Sequence, residues 1–254
     1  MDHDEDQLNR LFKDFRRDGY LILKDVFEAA FIQKLHHDFV RKYQHYFVEK
    51  DHEDALGVGD KRFFVTVEVE DAFNTPRFYA NPFILSIVKQ LLDKNLIISD
   101  LTCVVSLPGA EKQHIHSDGT IFNGLPIASL LPPHAVGLLI PLIPFNQLNG
   151  VTRIWPGTHG KKMPEESLED NPDFVDPELD IGSCILMDYR LKHRGNANLS
   201  DQIRPLLYCN YSAPWYFDSN NFKKQAHLMI KDEEFEKVPE KYRAMFARRN
   251  MRLA

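Results

Sequence analysis

The segment Gln113-His114-Ile115-His116-Ser117-Asp118-Gly119 contains the most informative pattern in the chain. Residues two apart along a strand point to the same side, so His116 and Asp118 can meet at one point while Ser117 turns away. A second imidazole, His193, lies much later in the chain, with several apolar runs between. A barrel or a sandwich of strands would bring His193 opposite His116 and Asp118, so the pattern predicts one of these two β architectures.

These three side chains form a candidate metal-ligand set. Two imidazoles and one carboxylate occupy one face of an octahedral metal and leave three positions open, which is typical of non-haem iron(II) oxygenases. Arg204 stands eleven positions after His193 (204 − 193), and its planar fork suits a dicarboxylate. We therefore expect His116, Asp118 and His193 to be the metal ligands and catalytic set, with iron(II), 2-oxoglutarate and dioxygen as the implied cofactor and cosubstrates.

The pattern of the chain changes near residue 96. Before it, apolar residues recur at helical spacing over about 6–17 and 28–47, and Asn81-Pro82 opens a third helix with Asn81 as its cap. After it, short apolar runs alternate with turn residues. The predicted strands there are 97–107, 112–118, 135–143, 151–156, 181–187 and 203–212. This order predicts a mainly β protein with helices (α+β), either a sandwich or a barrel with helices packed on one face.

We expect a single domain over residues 1–254. It would consist of a helical part over about 1–95, a β core over about 96–218, and a C-terminal segment over about 219–254. That last segment has helical composition and would either cap the mouth of the barrel or pair with another subunit in a homodimer. The stretch 161–180 is a long polar loop, and loops of this length often serve as lids.

Composition narrows the class of protein. A net charge of −6 and a pI near 6.0 argue against nucleic-acid binding. No apolar stretch approaches the roughly 18–20 residues that cross a membrane, and the acidic N-terminus does not resemble a secretory signal. The three cysteines lie in apolar runs at wide spacing. We expect them to be buried thiols, and we expect the protein to be in the cytoplasm or another reducing intracellular compartment.

Several motifs together resemble the phytanoyl-CoA dioxygenase family of iron(II)- and 2-oxoglutarate-dependent oxygenases. They lie in the family's order and cover roughly residues 8–218. The motifs are the entry segment 18–26, Pro108-Gly109 before the H-x-D pattern, Asn149-Gly150, Pro156-Gly157-Thr158-His159, and 191–200 with Arg204. The resemblance implies a double-stranded β-helix (jelly roll) with the N-terminal helices packed on one sheet.

The resemblance also implies roles for individual residues. Arg204 would bind the distal carboxylate of 2-oxoglutarate, and Gln113 and Thr152 match positions that relatives place at the cosubstrate. Strand alternation disagrees about Gln113, because it places His114 on the metal side instead.

Four further residues are candidates for the substrate pocket. Tyr208 and Asn210 share the strand face of Arg204, and Arg62 is suggested by its position alone. The full set of pocket candidates is His114, Tyr208, Asn210 and Arg62.

The expected function is hydroxylation or desaturation of an unactivated carbon in a small organic molecule, coupled to decarboxylation of 2-oxoglutarate to succinate. An acyl-CoA hydroxylase of the same class is one alternative, although the sequence offers no convincing basic cluster for CoA. More distant alternatives are a zinc hydrolase built on the same His₂Asp ligands and a non-catalytic jelly-roll binding protein. Arg204 argues against the hydrolase, because hydrolysis needs no dicarboxylate clamp.

Overall fold

The helices of the N-terminal half form where apolar residues recur at helical spacing. The computed structural model describes residues 5–50, 52–122, 127, 130–161, 163–164, 166–218, 222 and 226–251. The helices of this half are α1 (Glu5–Asp18), α2 (Ala29–Tyr43), α3 (Pro76–Tyr79) and α4 (Pro82–Leu91). The Asn81 side chain accepts hydrogen bonds from the backbone N–H groups of Phe83 and Ile84, at 3.0 and 3.3 Å, so the predicted cap of α4 is confirmed.

A seven-stranded antiparallel sheet forms the larger layer of the fold. Its strands are β1 (Tyr20–Leu23), β2 (Leu56–Gly57), β3 (Arg62–Thr66), β4 (Ile97–Ser106), β5 (Ala135–Pro141), β7 (Cys184–Asp188) and β9 (Arg204–Ser212). Their order across the sheet is β1-β7-β5-β9-β4-β3-β2. The two longest strands, β4 and β9, are therefore neighbours near the centre, although about a hundred residues separate them in the chain.

A smaller sheet lies opposite and consists of β6 (Thr152–Ile154) and β8 (His193–Gly195). Single antiparallel bridges extend it, from His193 to His116 and from Ile154 to Val175. The turn that leads into β6 requires a glycine at position 150, where φ is +84° and a Cβ would lie 2.6 Å from the carbonyl oxygens of Asn196 and Ala197.

The two faces of the large sheet pack against different partners. The outward face carries Cys103, Val105 and Cys209, which join residues of α1, α2 and α4 in one large apolar core. The inward face carries Leu139 and Met187 among others, which pack with residues of the smaller sheet. The predicted fold class, mainly β with helices on one sheet, is confirmed.

The remaining helices are α5 (Glu166–Glu169), α6 (Asp232–Lys237) and α7 (Glu240–Arg243). The described part of the C-terminal segment packs on the helical side, where Val238, Met245 and Phe246 enter the larger core. The three cysteines are free and buried, as expected. Among the described residues no helix has both the length and the apolar character to cross a membrane.

Two expectations about the β half were wrong. Residues 112–118 do not form a strand, and their only ladder contact among the described residues is the bridge at His116. The described residues of the loop 161–180 do not line the cavity between the two sheets. The Arg153 guanidinium binds both oxygens of Asp176 at 2.8 and 2.6 Å, and Leu179 pairs with Phe145, so this loop is held along the smaller sheet.

Candidate active site

One register row of the large sheet brings two arginines together on its inner face. Arg62 of β3 lies opposite Ser106 of β4, and Ser106 lies opposite Arg204 of β9. Residues directly opposite in antiparallel strands point to the same side, so both guanidinium groups enter the space between the sheets. Both side chains are buried, with Arg62 0% and Arg204 1% exposed.

The side chains of the three expected metal ligands, His116, Asp118 and His193, meet beside β8 of the smaller sheet. Their nearest ligand atoms all lie within 4.8 Å of one another. The Nε2 atoms of His116 and His193 lie 3.9 and 3.5 Å from Oδ1 of Asp118. His193 comes from β8, while His116 reaches the same point through its backbone bridge to His193.

Both imidazoles are oriented by the backbone. Nδ1 of His116 lies 3.0 Å from the His114 carbonyl oxygen, and Nδ1 of His193 lies 3.0 Å from that of Leu191. Because a carbonyl oxygen only accepts, each Nδ1 carries the hydrogen and each Nε2 keeps its lone pair directed at the common centre. This is the tautomer that a metal ligand needs.

The ionisation states of the triad follow from burial and mutual charge. Burial, followed by repulsion from His193, lowers the pKa of His116 to about 4. Burial opposes a charge on His193 as well, but the Asp118 carboxylate outweighs it and raises the pKa of His193. Burial likewise opposes the charge on Asp118, and the His193 and His116 imidazoles outweigh it and lower the pKa of that carboxyl. Asp118 is therefore charged and His116 is neutral.

The two arginines form no ion pair with any carboxylate among the described residues. Arg62 donates to the carbonyl oxygens of Gly195 and Asn196 at 3.3 and 2.9 Å and to Oγ of Ser106 at 3.3 Å. Burial and repulsion from Arg204 lower the pKa of Arg62 to about 9, and burial lowers that of Arg204 to about 10. The Nε atom of each is buried without a hydrogen-bond partner. Two buried cations without an anion favour an anionic ligand beside them.

Gln113 and His114 both reach the site, which corrects the expectation from strand alternation. Oε1 of Gln113 accepts from the Gly195 backbone N–H at 3.0 Å, and its Nε2 donates to the Val58 carbonyl at 2.6 Å. The alternation rule failed because this segment is not a strand. A Cβ on Gly195 would lie 2.5 Å from Nη1 of Arg62 and 2.7 Å from Oε1 of Gln113, so a residue without a side chain is needed here.

A cavity of about 390 Å³ joins these groups. Gln113, Thr152 and Arg204 line it at one end, and His114, Tyr208 and Asn210 line other parts of its wall, together with all three candidate metal ligands. Arg62 does not line it and lies behind Gly195. Sequence reasoning missed Ser117, Tyr189, Asp218 and Phe222, which line the wall too.

It also missed Asp100, which lies directly opposite Asn210 on the neighbouring strand and is 1% exposed. The available signal was a charged residue inside the otherwise apolar run of β4.

The residues present fit an iron(II) and 2-oxoglutarate site. The donor set is two imidazole nitrogens and a carboxylate, and the buried Arg204 guanidinium, which pairs with no carboxylate among the described residues, lines the same cavity.

Comparisons with known proteins agree with this arrangement. The profile of the phytanoyl-CoA dioxygenase family matches residues 15–206. The dioxygenase af480 of Aspergillus fumigatus is 35% identical over 136 residues, which are 53% of this chain and 43% of that protein. The iron/alpha-ketoglutarate-dependent dioxygenase ausO of Aspergillus calidoustus is 31% identical over 98 residues, 37% of this chain and 33% of that protein. The matches thus span less than half the length of these relatives.

Solved structures share the fold at low sequence identity. The 2-oxoglutarate-dependent epimerase SnoN of nogalamycin biosynthesis superposes with a TM-score of 0.64 at 21% identity, over 83% of this chain and 82% of that one. HygX of Streptomyces hygroscopicus, solved with nickel and 2-oxoglutarate, gives 0.65 at 15% identity, over 86% and 90%. These likenesses confirm the jelly-roll fold expected from the sequence.

Proposed function

This chain belongs to the phytanoyl-CoA dioxygenase family, and from that premise we propose that it is an iron(II)- and 2-oxoglutarate-dependent oxygenase. Its reaction is the oxidation of an unactivated carbon in a small organic molecule, by hydroxylation or desaturation, with conversion of 2-oxoglutarate to succinate and carbon dioxide. His116, Asp118 and His193 hold the metal, and Arg204 binds the distal carboxylate of the cosubstrate.

One observation carries the proposal. A three-ligand His₂Asp set and the buried Arg204 guanidinium line the same 390 Å³ cavity, and no carboxylate among the described residues pairs with that guanidinium or with the Arg62 guanidinium behind Gly195. The first feature alone fits many metals, and the second alone fits any buried anion. Their combination fits a metal bound together with a dicarboxylic acid, and it leaves a zinc hydrolase without a use for Arg204.

Iron held by these three residues would supply the activation of dioxygen, and the protein supplies orientation and containment. The backbone carbonyls of His114 and Leu191 hold both imidazoles with Nε2 toward the metal position. Asp118 contributes the carboxylate ligand, and a carboxylate at this position leaves no room for a halide ligand, which favours hydroxylation or desaturation over halogenation. Gln113 and Thr152 line the cosubstrate end of the cavity, and Arg62 adds a second positive charge behind it.

The test is anaerobic titration of the metal-free protein with iron(II) and 2-oxoglutarate. We expect a weak visible charge-transfer band near ~500 nm that needs both components. His116→Ala and His193→Ala are expected to lose the band together with bound iron. Well-folded wild-type protein that binds both components without the band, or that binds iron stoichiometrically after either substitution, would contradict the proposal.

A further inference from the structure

The inner face of the large sheet is polar at both ends. Arg204 begins β9 and Asn210 lies six residues later on the same face, about 20 Å away at roughly 3.3 Å per residue. A five-carbon diacid held at Arg204 is much shorter than that distance. Whatever contacts Asn210 is therefore a different ligand from the cosubstrate.

Asp100 lies directly opposite Asn210 on the neighbouring strand β4 and fixes the orientation of the Asn210 side chain. The carboxyl accepts four hydrogen bonds, from the hydroxyls of Ser99, Thr102 and Tyr189 at 2.9, 3.2 and 3.3 Å and from Nδ2 of Asn210 at 2.7 Å. No arginine or lysine among the described residues forms an ion pair with it. Since a carboxylate only accepts, the amide of Asn210 must present its nitrogen to Asp100 and its oxygen to the other side.

The amide oxygen of Asn210 has no hydrogen-bond partner. Oδ1 is buried and unpaired, and it lies over Gly137 of β5, which is directly opposite Asn210 in the register. A Cβ on Gly137 would point to the inner face and lie 3.0 Å from this oxygen. The Asn210 side chain lines the cavity beside Tyr189. An unpaired buried acceptor is unfavourable, so a ligand donor that reaches it would be bound more tightly.

We propose that Oδ1 of Asn210 accepts a hydrogen bond from an O–H or N–H group of the organic substrate, and that Asp100 is the residue that positions it. The substrate class is accordingly an alcohol or amine, or another molecule that carries an O–H or N–H donor, rather than a pure hydrocarbon. This inference rests on the proposed function, because that function makes the bound molecule a substrate. The binding itself needs neither metal nor cosubstrate.

The hydrogen bonds of Asp100 explain why the amide, and not the neighbouring acid, accepts from the ligand. Both oxygens of Asp100 are already occupied, so the carboxyl has no free acceptor for a substrate. Burial raises the pKa of Asp100 to about 7. In its neutral form the acid could donate to Asn210, and the fixed orientation of the amide would be lost.

Phenol and toluene are suitable probes, because they differ only by a hydroxyl in place of a methyl group. Their dissociation constants are measured by ligand-observed NMR on the protein with and without metal and 2-oxoglutarate. Phenol is the better hydrated of the two, so apolar burial alone favours toluene. We expect phenol to bind about fivefold more tightly, because one net hydrogen bond contributes about 1 kcal/mol.

Two variants then test the two roles. Asn210→Leu keeps the side-chain size and removes the acceptor, so the phenol preference should disappear. Asp100→Asn keeps the side-chain shape and allows the Asn210 amide to rotate by 180°, so the preference for phenol over toluene should shrink. Circular dichroism should show that this variant remains folded. Leu206→Val is the matched control, since it alters the same cavity wall on the same strand without changing its polarity and should leave the ratio of the two affinities unchanged.

A phenol preference that survives in Asn210→Leu overturns the proposal. So does the absence of any preference in the wild type, including the case in which neither probe binds. Loss of preference with Leu206→Val would show that shape decides, and that also overturns it. The charge-transfer band is recorded separately on every variant. Because that band reports the metal and cosubstrate alone, failure of the proposed function and failure of this inference give different results.

Discussion

At the scale of single residues, the burial of two cations, Arg62 and Arg204, has a large cost in free energy. Removing a charge from water costs several kcal/mol unless a partner compensates, and the protein provides Arg62 and Arg204 with no such carboxylate among the described residues. Arg204 instead lies over the ring of Phe145, 5.1 Å from its centroid. That contact contributes far less than an ion pair. A bound dianion would supply the missing charge, so binding and local stability are linked.

Arg204→Ala should weaken 2-oxoglutarate binding by about 2–5 kcal/mol, because the distal carboxylate would be buried without its partner. The measurement is a titration of the metal-loaded protein with 2-oxoglutarate under anaerobic conditions. Arg204→Lys keeps the charge but loses the planar fork, and it should retain part of the affinity. An affinity unchanged by Arg204→Ala would show that the distal carboxylate binds elsewhere.

His134 provides a prediction about pH. It is fully buried, and burial lowers its pKa to about 4. In the unfolded chain the pKa is ~6.5. The unfolded state therefore binds more protons between these values, so this contribution to stability is present above pH ~6.5 and is lost as pH falls toward 4.

We expect His134→Leu to reduce the loss of unfolding free energy between pH 7 and pH 5 by about 1–2 kcal/mol relative to wild type. Urea denaturation at both pH values measures it. His37→Leu is the control, because that side chain is exposed. A variant with the same pH dependence as the wild type would exclude His134 as a source of acid sensitivity.

At the scale of elements, the connection between β8 and β9 decides whether His193 and Arg204 hold their relative positions. Asn198 lies fully buried in that connection. Its Nδ2 donates to the carbonyl oxygens of Ser106, Leu107 and Gln202 at 3.2, 3.2 and 2.8 Å, and its Oδ1 accepts from Ser200. One amide thus joins the connection to the end of β4.

Asn198→Ala should destabilise the protein by about 2–4 kcal/mol, because several buried carbonyl groups lose their donor together. Urea unfolding with a constant m-value would measure the change. Ser200→Ala removes a single hydroxyl from the same loop and should cost about 1 kcal/mol or less. Equal effects of the two substitutions would show that the Asn198 side chain does not hold the connection.

For the molecule as a whole, ligand binding and folding are expected to be coupled. The cavity adjoins both sheets, so a metal and a dicarboxylate together link β8 to β9 across the interior. A ligand that binds only the folded state stabilises it by mass action, by about 2.7 kcal/mol at a hundred times its dissociation constant.

Manganese(II) with 2-oxoglutarate should therefore raise the melting temperature by about 5–10 °C, measured by calorimetry in the absence of turnover. The metal alone should raise it less. Arg204→Ala should keep the metal effect and lose the added effect of 2-oxoglutarate, whereas His193→Ala should lose both. A full response to 2-oxoglutarate without any metal would argue against a shared site.

The sequence predicted those features of the fold that depend on residues close together in the chain. We could predict the helices, the Asn81 cap and most strands of the β half from the sequence, because each depends on neighbours within a few residues. Strand alternation along β9 correctly grouped Tyr208 and Asn210 with Arg204. It failed at 113–118, where a single bridge at His116 replaces a ladder and both Gln113 and His114 reach the cavity.

The sequence by itself determined the chemical inventory: the three candidate ligands, the arginine after the second histidine, and the β-rich half that can bring them together. Only the tertiary structure decided that Ser106 lies between Arg62 and Arg204 in one register row, and that Asp100 lies opposite Asn210. The physical reason is that register between strands distant in the chain depends on packing across the whole sheet. Residue spacing within one strand carries no information about it.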